Sequence, residues 1–318
     1  MTPIDAPRPR LLAIVGATAT GKSALGLTLA ERLNGEIISC DSTAVYRGFD
    51  IGTDKVPVEE RRGVLHHMID LVEPTEEYSA ARYARDASAV VRAITMRGRV
   101  PILVGGTGFY YRALTRGLFE GPGRDERLRR RLERAAARRG PDALHRWLAR
   151  VDAASAARIQ PRDVKRLVRA LEVWLVTGRP LTDHFGATAS PLPEYEITTI
   201  ALRIPPEDTA KRVAARVDQQ FARGLLDEIR GLLARGVPET ALPFTGLVYR
   251  QAMEHLRGIR GEAETREIIV RENRRYARRQ LIWFRKEPNV RWIDSAGERP
   301  DSGDIVARLV CLNDPLRA

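Results

Sequence analysis

The segment Gly16-Ala17-Thr18-Ala19-Thr20-Gly21-Lys22-Ser23 constrains this chain most. It follows the apolar run Leu11–Val15 and precedes a helical pattern over Lys22–Leu33, so it reads as a glycine-rich phosphate loop between a strand and a helix. Glycines let such a loop turn tightly, so that successive N–H groups point into one concavity. The helix adds its positive dipole end, Lys22 a point charge and Ser23 a hydroxyl able to ligate a magnesium ion. The loop binds phosphate or pyrophosphate and implies a parallel sheet flanked by helices. It leaves the reaction open.

Two further strand ends carry polar, chemistry-bearing residues. Candidate strands are Leu11–Val15, Glu36–Ser39, Met68–Val72, Val100–Val104 and Thr198–Arg203, and helical patterns fill Lys22–Leu33, Ser79–Met96 and Thr209–Arg235. Strands alternating with helices of this length read as βαβ units, whose ligands sit beyond the carboxyl ends of the strands. There the chain places the phosphate loop, Cys40-Asp41-Ser42, and Gly105-Gly106-Thr107-Gly108. The rhythm breaks from Gly121 to about Leu181, which is helical and arginine-rich, and the loop-like Gly178–Pro193 closes that stretch. A helical insertion into a phosphate-loop domain is expected: core 1–121 and 191–318, insertion 122–190. A second basic region, Arg266–Arg291, carries Tyr276, Trp283 and Phe284; of these Trp283 reads as core before stacking platform.

Composition narrows the class. The 318 residues are 43% hydrophobic and 30% charged, an ordinary globular balance. No apolar run approaches the roughly 20 residues of a membrane span, and Met1–Arg10 holds three prolines and no apolar signal region. Cys40 and Cys311 stand far apart with no metal-binding spacing, which fits a reducing cytoplasm. A net charge of +12 favours a polyanionic partner. Arginine inflated by genome composition on solvated helix faces would give the same number.

Phosphate-loop proteins usually place an aspartate at the end of a second apolar strand. Here Val100–Val104 ends in glycines and a threonine, and the nearest strand-end acid is Asp41. Asp41 is a candidate magnesium ligand, a base facing a substrate above the loop, or a helix N-cap.

Taken together, the motifs resemble those of the tRNA dimethylallyltransferases. The resemblance rests on Gly16–Ser23, Ser39–Ser42, Val45–Thr53, His66–Asp70, Leu103–Tyr110, Asp163–Gly178 and Tyr276–Arg285, in order along nearly the whole chain. It implies a P-loop NTPase-like fold with a helical tRNA-binding insertion, and transfer of a dimethylallyl group from dimethylallyl diphosphate to the N6 amine of the adenosine 3′-adjacent to the tRNA anticodon. The phosphate loop would then hold the leaving group, with Mg2+ at Ser23 and no ATP consumed. The resemblance further implies catalytic roles for Asp41 as base and for Thr107 and Arg216 at the diphosphate. It implies tRNA contacts at Asp41, Ser42, Thr43, Ala44, Lys165, Arg166, Arg169, Arg250, Arg278, Gln280 and Arg285. The partners expected are the tRNA anticodon stem-loop and dimethylallyl diphosphate, with no membrane, for a cytoplasmic monomer.

The chain departs from the family pattern in two places. Ala44 stands where the family has a glutamine placed to contact the base, and Val248 where it has a glycine; a β-branched residue there disfavours any left-handed backbone. Two other readings stay open: an enzyme acting on free adenine nucleotides, by prenyl transfer or as a kinase, and an RNA-binding relative without catalysis.

Overall fold

The computed structural model describes residues 8–119 and 121–311. The chain divides into two compact units, one running to Thr115 and resuming at Leu192, the other Arg116–Pro191.

The larger unit is built on six parallel strands: β1 Arg10–Gly16, β2 Gly35–Cys40, β3 His66–His67, β4 Val100–Gly105, β5 Glu196–Leu202 and β6 Val290–Ile293. Their order is β3-β2-β4-β1-β5-β6, with β1 central between β4 and β5. β1 is buried from Leu11 to Gly16, as a strand covered on both faces must be, hence its unbroken apolar run. Helices α1 Lys22–Arg32, α2 Ala80–Met96 and α3 Gly108–Arg116 make or follow the first crossovers. α2 starts at Ser79, whose side chain accepts from Arg82 N. One apolar cluster joins Leu25 and Leu29 of α1 to Ile14, Ile102, Ile200 and Leu202 of the sheet.

The smaller unit is helical: α4 Glu126–Arg139, α5 Pro141–Val151, α6 Ala153–Arg158 and α7 Val164–Thr177. Leu132, Leu144, Leu148, Leu167 and Leu171 form its core. Glu172, fully buried, accepts from Arg129 Nε and Nη2 at 2.8 Å each, from Arg169 Nη1 at 2.7 Å and from Asp125 N at 2.8 Å. Burial by itself would raise this carboxyl, but the two guanidiniums and the amide outweigh it and hold it at about 2. Two arginines of the basic stretch are therefore parts of this unit's own framework.

The larger unit then continues through α8 Pro206–Ala222, α9 Leu225–Ala234, α10 Leu247–Leu256, α11 Glu262–Phe284 and, after β6, α12 Pro300–Cys311. Two expectations fail locally. The helix predicted over Thr209–Arg235 is two helices, because Gly224 adopts φ 91° and turns the chain between α8 and α9. The strand predicted over Met68–Val72 is not formed; the pairing segment is His66–His67, and Met68 and Asp70 take positive φ of 62° and 53°, which no strand accommodates. Only a single bridge, Tyr46 to Val72, remains there. Among the described residues no helix is long and apolar enough to cross a membrane.

Candidate active site on the phosphate loop

The loop between β1 and α1 has its backbone set by neighbours distant in sequence. Thr18 N donates to Gln280 Oε1 of α11 at 2.8 Å, and Gln280 Nε2 donates to Gly106 O at 2.9 Å. A Cβ on Gly106 would stand 2.2 Å from Gln280 Nε2, so a larger residue there would displace that amide. Within the loop Ala19 holds φ 63°, a left-handed conformation costing an L-residue about 1–2 kcal/mol. Lys22 Nζ donates to Ala17 O at 2.5 Å, so the lysine folds over its own loop. Burial, and then the Arg216 guanidinium, pull Lys22 down from 10.5 to about 7, against the opposing pull of Asp41 and Glu298. Ser23 is exposed in the first turn of α1.

Arg216 comes from α8. Its Nη1 donates to Thr18 Oγ1 at 2.7 Å and pairs with Asp54 Oδ2 at 3.1 Å. Burial raises the Asp54 carboxyl above its ordinary value, Asp41 adding to the effect while Arg216 and Gln220 pull the other way. Asp41, just past β2, accepts at Oδ1 from Thr43 N (2.8 Å), Thr43 Oγ1 (2.6 Å) and Ala44 N (3.3 Å). These bonds fix the carboxylate's orientation, and among the described residues Oδ2 has no partner. Thr107, just past β4, joins the two strand ends: its N donates to Cys40 O at 3.1 Å, and its Oγ1 accepts from Ser42 N at 3.1 Å. Tyr276 of α11 lies by the same strand ends, and burial raises its phenol to about 12.

Lys22, Asp41, Asp54, Arg216 and Tyr276 line one or both of two adjoining cavities within the larger unit, and Thr107 is held beside them through Ser42 N. The first, about 390 Å³, lies over the phosphate loop and is lined by Lys22, Ser23, Ala44 and Glu298 among others. The second, about 280 Å³, is lined by Ser42, Thr43, Gln220, Val248, Tyr249 and Asn273. Thr18, Asp41, Thr53, Asp54, Arg216 and Tyr276 border both. The shared wall thus carries two carboxyl groups, a guanidinium and a phenol.

The remaining sequence-predicted residues are dispersed. Gln280, expected at RNA, is buried with both ends of its amide engaged in bracing the phosphate loop. Arg169 is held by Glu172 and Pro122 O inside the smaller unit, where Lys165 and Arg166 are exposed on α7. Arg250, Arg278 and Arg285 are exposed on or beside α10 and α11 of the larger unit, without ion-pair partners among the described residues. Val248 is helical, in the first turn of α10, so its position asks for no left-handed backbone. Trp283 lies half-buried under the Arg112 guanidinium, 4.4 Å from the ring centroid, and packs on Gly108 of α3. Asp54, Gln220 and Glu298 line the cavities although no sequence motif marked them; each becomes visible only when α8 and the segment after β6 fold over the strand ends.

A loop of this kind at the end of a central parallel strand, with an acid from the next strand and an arginine from a later helix, defines a phosphate-loop α/β enzyme. The family model described as IPP transferase matches residues 44–287, and the chain belongs to that family. It is 47% identical over 294 residues to a tRNA dimethylallyltransferase of Solibacter usitatus, covering 92% of this chain and 94% of that one. The tRNA isopentenylpyrophosphate transferase structure from Bacillus halodurans is 38% identical with a TM-score of 0.69, over 94% of this chain and 96% of that one. A structure of a eukaryotic dimethylallyltransferase acting on tRNA is 26% identical with a TM-score of 0.80, over 97% of this chain and 80% of that one.

Proposed function

We propose that this chain transfers a dimethylallyl group from dimethylallyl diphosphate to the N6 amine of the adenosine 3′-adjacent to the anticodon of a tRNA, releasing diphosphate. The observation that carries the reading is the wall shared by the two cavities, with Asp41 on it. The diphosphate lies over the loop, its prenyl C1 toward that wall, and the extruded adenine enters the second cavity from the other side. The amine lone pair attacks C1, the C1–O bond breaks, and its electron pair leaves with the diphosphate. Asp41 Oδ2 takes the proton from nitrogen, a task suited to a carboxylate already oriented through its other oxygen. Lys22, Arg216 and the Thr107 hydroxyl are fixed donors for the charge that develops on the leaving group.

The residues present suit Mg2+. No cluster of three or more His, Cys, Asp or Glu side chains exists among the described residues. Magnesium keeps several waters and takes few protein ligands beside phosphate oxygens, so the exposed Ser23 hydroxyl and the diphosphate would hold it. When bound it supplies positive charge to the leaving group.

The RNA part of the reading draws on exposed cations, Lys165 and Arg166 in the helical unit and Arg250, Arg278 and Arg285 in the larger one. The helical unit is proposed as an RNA-contact insertion. Ala44 offers the base no amide, but the second cavity has two: Asn273, and Gln220, whose Oε1 is buried without a partner. The reading takes the protein as a cytoplasmic monomer. The test is purified protein with labelled dimethylallyl diphosphate, offered unmodified tRNA or AMP. Label in tRNA alone is expected; label in AMP at equal or greater efficiency overturns the proposal.

A further inference from the structure

The segment 294–299, between β6 and α12, crosses the phosphate loop. Gly297 N donates to Thr20 O at 2.9 Å, and a Cβ on Gly297 would stand 2.2 Å from Gly21 O. Ser302 Oγ, in α12, donates to Ala296 O at 2.8 Å and ties the segment down. This path lays the Glu298 carboxylate on Gly21, where a Cβ would come within 2.3 Å of Oε2; Gly21 also holds φ 85°. Arg212, one helical turn before Arg216 on α8, donates to Glu298 Oε2 at 2.9 Å. Glu298 lines the cavity over the loop and not the second cavity, whereas Asp41 borders both. An anion-binding cavity thus has two carboxylates that do not border the second cavity, Glu60 and Glu298, of which Glu298 lies on the phosphate loop itself, where a cation would serve a longer polyphosphate better.

We propose that Glu298 sets the length of polyphosphate the loop accepts, admitting a diphosphate and rejecting a triphosphate. The inference rests on the reading above in one respect: a prenyl end facing Asp41 directs the terminal phosphate toward Glu298. A third phosphoryl group extends that way and adds negative charge against a carboxylate. A diphosphate stops short of it, and Arg212 offsets the carboxylate's charge while the site is empty. Glu298 is half exposed, so its substitution leaves the core untouched. A loop with this selectivity would bind the leaving group of prenyl transfer and exclude the cell's nucleoside triphosphates.

The experiment is competition binding of inorganic pyrophosphate and inorganic tripolyphosphate to the full chain at fixed magnesium, with thermal melts for every variant. The wild type is expected to prefer pyrophosphate by about tenfold or more. Glu298→Gln should shrink that preference at least fivefold, mainly by tightening tripolyphosphate, and Glu298→Asp should retain most of it. Equal binding by the wild type, or equal tightening of both ligands in Glu298→Gln, overturns the proposal. Prenyl transfer to tRNA, measured alongside, separates the two readings. Transfer without length discrimination removes the role of Glu298 alone. Discrimination without transfer removes the proposed reaction and leaves that role standing.

Discussion

Lys22 gives the phosphate site a proton balance that can be read directly. Held at about 7 by burial and Arg216, it is about 90% neutral at pH 8 in the empty site. A bound diphosphate places several negative charges beside it and returns it to the ammonium form. Binding at pH 8 should therefore take up about 0.9 proton at this residue, and about 0.5 at pH 7. For this group the sign is that of a depressed base: its full contribution to anion affinity is present below pH 7 and is lost as pH rises through 7, by up to tenfold per unit. The empty protein gains stability over the same span, from pH 7 toward 10.5, because the unfolded chain still binds the proton. Calorimetry of pyrophosphate binding in two buffers of different ionisation enthalpy measures the uptake. Lys22→Met supplies the reference, so that pyrophosphate's own titration cancels in the difference. A wild-type uptake exceeding the variant's by about 0.9 proton at pH 8 is expected; equal uptake in the two would refute the reasoning.

Thr107→Ala removes one donor to the leaving group and should lower turnover about 10²–10³-fold, with little change in melting temperature; single-turnover prenyl transfer checks it. Asp41→Asn keeps the hydrogen bonds at one oxygen but not proton acceptance, so transfer should fall about 10²–10⁴-fold while tRNA binding persists; if instead magnesium-dependent diphosphate binding is lost and the chemistry of bound substrate is intact, Asp41 is a metal ligand. Arg166→Glu or Arg278→Glu should weaken tRNA binding and flatten the slope of log affinity against log salt by about 0.7 per lost phosphate contact, leaving diphosphate affinity unchanged in filter-binding titrations. Glu172→Gln leaves two half-buried guanidiniums without their counter-charge and should destabilise the helical unit by about 3–5 kcal/mol in denaturant melts.

The elements legible in the sequence are those whose cause is local. β1, β2, β4 and β5 announce themselves as apolar runs; their ends bring the phosphate loop and Asp41 to one cavity, and Thr107 beside Asp41 through Ser42 N. β6 was not legible: Val290–Ile293 is four residues long, only Ile293 is buried, and its pairing with β5 is a tertiary event. A helical periodicity continuous from α8 into α9 hid the turn at Gly224. At the site, Arg216 could be named only through the family resemblance, and its bonds to Thr18 and Asp54 could not be named at all. Gln280 shows the limit most clearly. Its residue type fits an RNA contact as well as it fits a brace, and only the fold of α11 over the loop decides where its amide goes.

That brace has a consequence for biosynthesis. The phosphate loop leaves the ribosome well before the side chain that holds Thr18 N, which comes 262 residues later. At roughly 5–20 residues per second, the loop waits on the order of 10–50 s for its partner. For the first part of that interval β1 also lacks β5, its neighbour on one side, which follows the helical unit in the chain. The nascent protein therefore carries an open edge at β1 until β5 is made, and an unfinished anion site until Gln280 follows. Anion affinity arrives as a late, all-at-once property of the chain, and a ribosome stalled before Gln280 holds a polypeptide that cannot yet grip its diphosphate.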